Sequence, residues 1–252
     1  MEIFLASPPE WASAAARTGF EIARMDYKLQ DGSLWRASGG GGRGGLMVCD
    51  IASRAALRDP RAAARAIFAE CVARDYGGVV LDLEGEPDGT RIELARLTGA
   101  EARNRGMRFF ASERLALAAG AADCAALVPT ALSGGSLETR LREAPGAAVG
   151  GRRALEIDIV REDFTLPAPR GEGRTLSAGD LASLAGRHCR TPCFSRELCC
   201  NYFTYRSRTA RHIVLYDDLT SVRAKLSLGA RLGLDAAFVF FPHASDFAAN
   251  LR

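Results

Sequence analysis

The stretch Gly77-Gly78-Val79-Val80-Leu81-Asp82-Leu83-Glu84-Gly85-Glu86-Pro87 decides how this chain is read. Val79–Leu83 is a short run, apolar until Asp82, of the kind that forms a strand covered on both faces. Gly85 and Pro87 end it, and a helical pattern over Thr90–Arg105 follows and stops at Gly106. The result is a strand–helix unit with two carboxylates at the strand's carboxyl end. Asp82 and Glu84 are two positions apart, so an extended backbone turns both side chains to the same face.

The same unit recurs in both directions. Upstream, Glu2–Ala6 reads as a strand, Glu10–Thr18 as a helix and Phe20–Leu29 as an extended segment. Asp31-Gly32 is a turn signal that lets Leu34–Arg36 pair back as a hairpin. Leu46–Ile51 is a further strand, followed by an Ala-rich helix over Pro60–Arg74. Downstream, Arg108–Ala111, Ala125–Ala131, Ala154–Val160 and Ala237–Phe241 are strands, and Thr220–Leu232 is an amphipathic helix closed by Gly233. Tyr202–Tyr205 and His212–Tyr216 read as two strands joined by a basic turn, and Leu166–Arg190, rich in Pro, Gly and Arg, as a surface excursion.

Eight or nine strands alternating with helices are the pattern of a parallel α/β fold. No dinucleotide fingerprint follows the first strand, which favours a closed (β/α)8 TIM-type barrel over an open doubly wound sheet. The 252 residues suffice for one such barrel, so a single domain over 1–252 is expected, with a small insertion or hairpin late in the chain.

Composition narrows the partners. The 33 basic and 30 acidic residues are interspersed, so no basic stripe marks a nucleic-acid surface. No apolar run is long enough to span a bilayer, and Met1–Ala6 lacks the basic start and apolar length of a signal peptide. The seven cysteines then read as reduced thiols, and the expected location is cytoplasmic, with no membrane partner. Cys189, Cys193, Cys199 and Cys200, beside His188, lack the paired two-residue spacing of zinc ribbons, so no metal is expected. Ser38–Gly45 is glycine-rich, but a phosphate cradle needs a helix N-terminus directly behind the glycines, and here a strand follows. A flexible loop near the barrel mouth is the reading of that segment, and no cofactor is expected.

Barrels build their sites at the carboxyl ends of their strands. If Asp82 and Glu84 face the lumen there, they disfavour each other's ionisation; one pKa rises, and a general acid becomes available near neutrality. The bland alternative is an ordinary ion pair at the rim. Asp50 ends its own strand, and Glu156 and Asp158 form another alternating pair; rim salt bridges compete with a binding role for all three. Tyr202, with Phe203 and Tyr205, suits an aromatic wall or the packing of a hairpin. His243, just beyond the last strand, is a candidate polar contact. Asp217 and Asp218 suit capping of the helix that begins near Thr220.

Two segments together carry a resemblance. Gly77–Glu84 resembles the strand signature of glycoside hydrolase family 18, the chitinase-like barrels, written D-x-x-D-x-D-x-E. His212–Leu226 resembles that family's late YDD-x-x-S-I-x-x-K segment, with a helix, Gly233-Leu234 and the final strand behind it. The resemblance implies a barrel that hydrolyses an N-acetylated glycan of chitin or peptidoglycan type. The substrate's own acetamido group would attack the anomeric carbon, so no protein nucleophile is required. It places Glu84 on the proton donor and Asp82 on the carboxylate that orients the acetamido group. Phe240 falls where the family has a sugar-stacking Trp. The chain departs from the pattern at Gly77 and Val80, which stand at the first two motif acids, and Val128–Ser133 holds no counterpart of the family's Tyr-Asp pair. Three expectations follow: a diverged hydrolase; a carbohydrate-binding or scaffold barrel that has lost turnover; or an unrelated barrel enzyme acting on a phosphorylated metabolite.

Overall fold

In the computed structural model, short apolar strands with helices between them become a ring. The structure describes residues 1–252 apart from 31, 52–56, 84, 121–123, 145–151, 169–170, 172 and 190. Strand β1 (Glu2–Ser7) is followed by helix α1 (Ala12–Ala16) and β2 (Glu21–Gln30), and β3 (Ser33–Arg36) folds back antiparallel on β2. Then come β4 (Leu46–Ile51), α2 (Pro60–Arg74), β5 (Gly78–Leu83), α3 (Gly89–Asn104), β6 (Arg108–Ser112), α4 (Glu113–Ala119), β7 (Ala125–Pro129), α5 (Leu137–Glu143) and β8 (Arg153–Ile157).

A second sheet now interrupts the pattern. It comprises β9 (Arg161–Leu166), β10 (Arg174–Thr175), helix α6 (Ala178–His188), β11 (Cys193–Ser195), β12 (Cys200–Arg206) and β13 (Arg211–Tyr216), antiparallel in the order β10-β9-β13-β12-β11. Helix α7 (Leu219–Arg231) returns the chain to the ring, β14 (Ala236–Phe240) completes it, and α8 (Phe241–Ala244) follows at once. β1 pairs in parallel with both β14 and β2, so eight parallel strands close on themselves. The closed barrel read from the sequence is present.

The late insertion is larger than the surface excursion expected over Leu166–Arg190. It begins at β9 and contains the expected hairpin as β12 and β13. β9 reads Arg-Glu-Asp-Phe-Thr-Leu, so charged residues hide a strand whose Asp163 and Phe164 are buried. Asp163 accepts from the Tyr205 hydroxyl at 2.8 Å and meets His212 Nδ1 at 3.1 Å, and the Tyr205 ring stacks between His212 and His188.

Each ring strand buries two faces. On the outside, Met47 and Cys49 of β4 and Val79 and Leu81 of β5 pack with Ile67, Phe68 and Cys71 of α2 and Leu94 of α3. Both helices start at side-chain caps, with Asp59 accepting from Ala62 N at 2.9 Å and Asp88 from Arg91 N at 2.9 Å. On the inside, Phe4 stacks on Phe238 with centroids 5.0 Å apart, and Phe110 meets Phe238 edge-on at 4.9 Å. These rings fill the lumen with Val48, Val80 and Leu127 around them. Below, the Arg108 guanidinium lies 4.9 Å over the Phe4 ring and bonds to Glu2 at 2.8 Å and to Glu21. The amino end of the barrel is therefore sealed.

The glycine-rich segment lies at that sealed end, not at the mouth. Gly45 O accepts from Gly77 N at 2.8 Å where β4 and β5 begin, Gly41 N donates to Asp26 Oδ2 at 2.6 Å, and Tyr76 Oη donates to Gly42 O at 2.9 Å. Position between β3 and β4 in the sequence did not reveal which end of the ring the loop would reach. Gly45 has φ +81°, and a Cβ there would stand 2.2 Å from Ile22 O.

Asp217 joins the two sheets. It is fully buried, as is Lys225, whose Nζ reaches Oδ2 at 2.6 Å. Val160 N donates to Oδ2 at 2.9 Å and Ser221 Oγ to Oδ1 at 2.8 Å, while Asp217 N donates to Val160 O at 2.8 Å. Asp218, next in sequence, is the cap of α7, in a reciprocal arrangement with Ser221. Of the two expected caps, Asp217 instead neutralises a buried lysine.

Lys225→Met leaves the Asp217 carboxylate buried without its counter-charge, and about 3–5 kcal/mol of unfolding free energy is lost in urea denaturation; a change under about 1 kcal/mol contradicts the assignment. Gly45→Ala meets both the backbone clash and the left-handed φ and costs at least about 1–3 kcal/mol in the same assay, whereas Gly106→Ala, with no atom within 4 Å of its Cβ, costs less.

Candidate active site

Strand alternation carries the lumen face upward to its open end. Above Val80 on β5 comes Asp82, above Ala154 on β8 comes Glu156, and above Phe238 on β14 comes Phe240. Here the ring is no longer plugged, and a cavity of about 470 Å³ opens. Val48, Val80, Leu127 and Phe238 form its apolar floor. Among the described residues, Asp82, Glu156 and Asp158 are its acids, with Phe240 and His243 at the rim, the two rings in edge contact at 4.8 Å.

The electrostatics of that layer centre on Glu156. Burial, more than any other cause, pushes its carboxyl up to about 8, and the charges of Asp82, Asp158 and Glu113 push in the same direction. At neutral pH the Glu156 carboxyl is therefore protonated. Its main chain is fixed, because Thr130 N and Thr130 Oγ1 both donate to Glu156 O, at 3.0 and 3.1 Å. Glu113, at the start of α4, is clamped by Arg140 of α5, with one contact at 2.9 Å.

The candidates named from the sequence separate. Asp82, Glu156, Asp158 and Phe240 line one cavity, and His243 joins them. Asp50 stands level with Asp82 on the neighbouring strand but is half-exposed and paired with Lys28 at 3.3 Å, outside the lining. Tyr202 is not brought to the cavity; it packs on Val160, Phe164, Cys200 and Leu215 in the core of the antiparallel sheet. Phe203 packs with Leu176, Leu184 and Val214 beneath α6. Glu84 lies outside the described residues. A carboxyl raised by burial and by neighbouring acids stands on Glu156, on a strand other than that of Asp82.

Cys199 and Cys200 are buried thiols, and burial pushes Cys200 up to about 11; Cys193 is exposed on the edge strand β11. Sequence reasoning passed over Glu113 and Arg140. Glu113 follows directly on β6, so the rule that singled out Asp50 at the end of β4 applies to it equally; Arg140 had no such signal.

No family model and no curated protein sequence matches the chain. Solved structures do. The spore cortex-lytic enzyme SleL of Bacillus megaterium QM B1551 superposes with a TM-score of 0.68 at 16% identity, over 100% of this chain and 74% of that one. A chitinase from Chromobacterium violaceum gives 0.72 at 15% identity, over 99% and 97%. A mutant GH18 chitinase from Cycas revoluta, in complex with (GlcNAc)4, gives 0.65 at 12% identity, over 99% and 97%. The chain thus has the barrel fold of these chitinases and of a cortex-lytic enzyme, at 12–16% sequence identity.

Proposed function

We propose that the protein is a diverged glycoside hydrolase of the family 18 kind, acting on an N-acetylated glycan of chitin or peptidoglycan type. The observation that carries this reading is the cavity at the carboxyl ends of the barrel strands. It has Asp82 in its wall, an apolar floor, and Phe240 at its rim. An aromatic face beside carboxylates suits a sugar, which offers C–H groups to the ring and hydroxyls to the acids. The likeness to chitinases and to a cortex-lytic enzyme supports the same class.

In this reading Glu84, two residues beyond Asp82, protonates the glycosidic oxygen as the bond to the anomeric carbon breaks. The acetamido oxygen of the same sugar attacks that carbon, and Asp82 holds the acetamido N–H and balances the charge that develops on the ring. Water then opens the cyclic intermediate and Glu84 recovers its proton, so the protein forms no covalent bond.

Hydrolysis of chromogenic N-acetylglucosamine oligomers by the wild type, Glu84→Gln and Asp82→Asn tests it. Loss of the general acid lowers the rate by about 10²–10⁴-fold, while the oligomer still binds. Equal rates from wild type and Glu84→Gln remove Glu84 from the mechanism. Binding without hydrolysis by the wild type places the protein among barrels that hold a glycan without cutting it.

A further inference from the structure

The mechanism above leaves the Glu156 carboxyl without a task. It projects into the mouth from β8 on a main chain held twice by Thr130. Among the described residues, no donor is hydrogen-bonded to its carboxyl oxygens. Among the described residues, the groups that face it are Asp82 from β5, Asp158 at the end of its own strand, Glu113 from α4 with Arg140 of α5 clamped to it, and His243 from α8. An apolar floor and three acids oppose a further negative charge at that place. A carboxyl that stays neutral has an O–H to give, whereas an ionised one can only accept.

We propose that Glu156 is a substrate-positioning residue that, as a neutral carboxylic acid, donates a hydrogen bond to the acetamido carbonyl of the bound sugar. An acetamido group offers one N–H and one C=O. Asp82 accepts from the first, and neutral Glu156 donates to the second. The two carboxyl groups, on opposite sides of the lumen, thus read both ends of one amide. A sugar with a free amine lacks the carbonyl, and one with an added carboxylate meets three acids. This inference rests on the glycan-binding part of the proposed function and does not depend on turnover.

The sign of the pH dependence follows. The carboxyl is neutral below about 8, so the donor is present at neutral pH and lost as the pH rises through that value. Above it, an ionised Glu156 repels the carbonyl oxygen it formerly bound. Glutamine at 156 keeps a donor of similar size that does not titrate; alanine removes it. Stability shifts in a related way. The folded state holds this proton more tightly than the unfolded chain, whose glutamates titrate at about 4.3. The wild type therefore loses stability between that pH and about 8, and Glu156→Gln does not.

The test measures affinity for the N-acetylglucosamine tetramer by calorimetry from pH 6 to 9.5, with Glu84→Gln present throughout so that turnover plays no part. The single variant is expected to bind most tightly at neutral pH and to weaken about 5–10-fold as the pH passes 8, the scale of one net hydrogen bond. Adding Glu156→Gln keeps the neutral-pH affinity and flattens the profile; adding Glu156→Ala instead gives binding weaker than that of the Glu156→Gln protein by the same factor at every pH. The glucosamine tetramer, without a carbonyl, does not distinguish Gln from Ala. Thermal denaturation provides a ligand-free control, in which the melting temperature of Glu156→Gln gains on the wild type as the pH rises. A Glu156→Gln protein that binds as weakly as Glu156→Ala overturns the proposal. So does an alkaline loss that persists in Glu156→Gln, or a wild type and variants that bind no oligomer at any pH. A protein that binds with the expected profile but cuts nothing refutes the hydrolase reading and leaves this one standing.

Discussion

A ring of eight strands encloses a space that side chains alone can fill, and everything about the site follows from how that space is occupied. Every second side chain of every ring strand points inward, whatever its polarity. Phe4, Phe110 and Phe238 occupy the middle of the lumen in mutual contact, and Arg108 closes the amino end over the Phe4 ring. A charge placed among those rings would be stripped of water with no partner to replace it, at a cost of several kcal/mol (about 1–3 even for a neutral polar group). Polar residues are therefore kept to the two ends of the lumen: Arg108 with Glu2 and Glu21 at the amino end, and Asp82 and Glu156 beside Phe240 at the top. The aromatic plug sets the depth of the cavity, and the cavity sets how much water reaches the acids.

That top layer is braced from the side. β8 ends at Ile157, and Asp158 and Ile159, which line the cavity, lead directly to Val160. Asp217 grips Val160 through both its N–H and its C=O and is in turn held by Lys225 and Ser221 of α7. A buried ion pair is a costly way to join two elements, because both charges surrender their hydration. What it supplies is geometry: the chain leaves the barrel at a defined point and in a defined direction, and the antiparallel sheet is docked beside the mouth. Arg161 Nη2 donates to His243 O at 2.8 Å and ties the first residue of that sheet to the helix bearing the rim histidine.

How much of this could be read from the sequence depends on the range of the interaction. Val79–Leu83 was legible as a strand because burial on both faces leaves a local signature, and the caps at Asp59 and Asp88 fall where their helical patterns begin. β9 was not legible, because its charged residues satisfy the Asp163 cluster and the solvent side instead of breaking a helix or turn pattern. Asp82 and Glu156 were each singled out from their own strands, but their electrostatic coupling was not. They lie far apart in sequence and meet only because the ring closes. The end of the barrel reached by the glycine-rich loop was illegible for the same reason, since it depends on partners at Tyr76 and Arg74.

The departures from the resembling strand signature acquire a physical meaning in this setting. Val80 stands where that signature has an acid, and in the lumen it lies directly beneath Asp82, 2% exposed and packed among the plug residues. A carboxylate there would need hydrogen bonds or a counter-charge from a layer that offers only rings and aliphatic groups. With valine at 80, the acid column on β5 stops at Asp82, and the floor below it is dry. A carboxylate at the edge of a dry floor is most sensitive to the charge facing it, and β8 supplies Glu156 in that place. Relative to the signature, an acid is missing beneath Asp82 on its own strand, and one stands on the other side of the lumen, where it holds a proton at neutral pH. A proton-holding acid that faces Asp82 is thus provided from another strand, and its placement depends on the closure of the ring as much as on the residues.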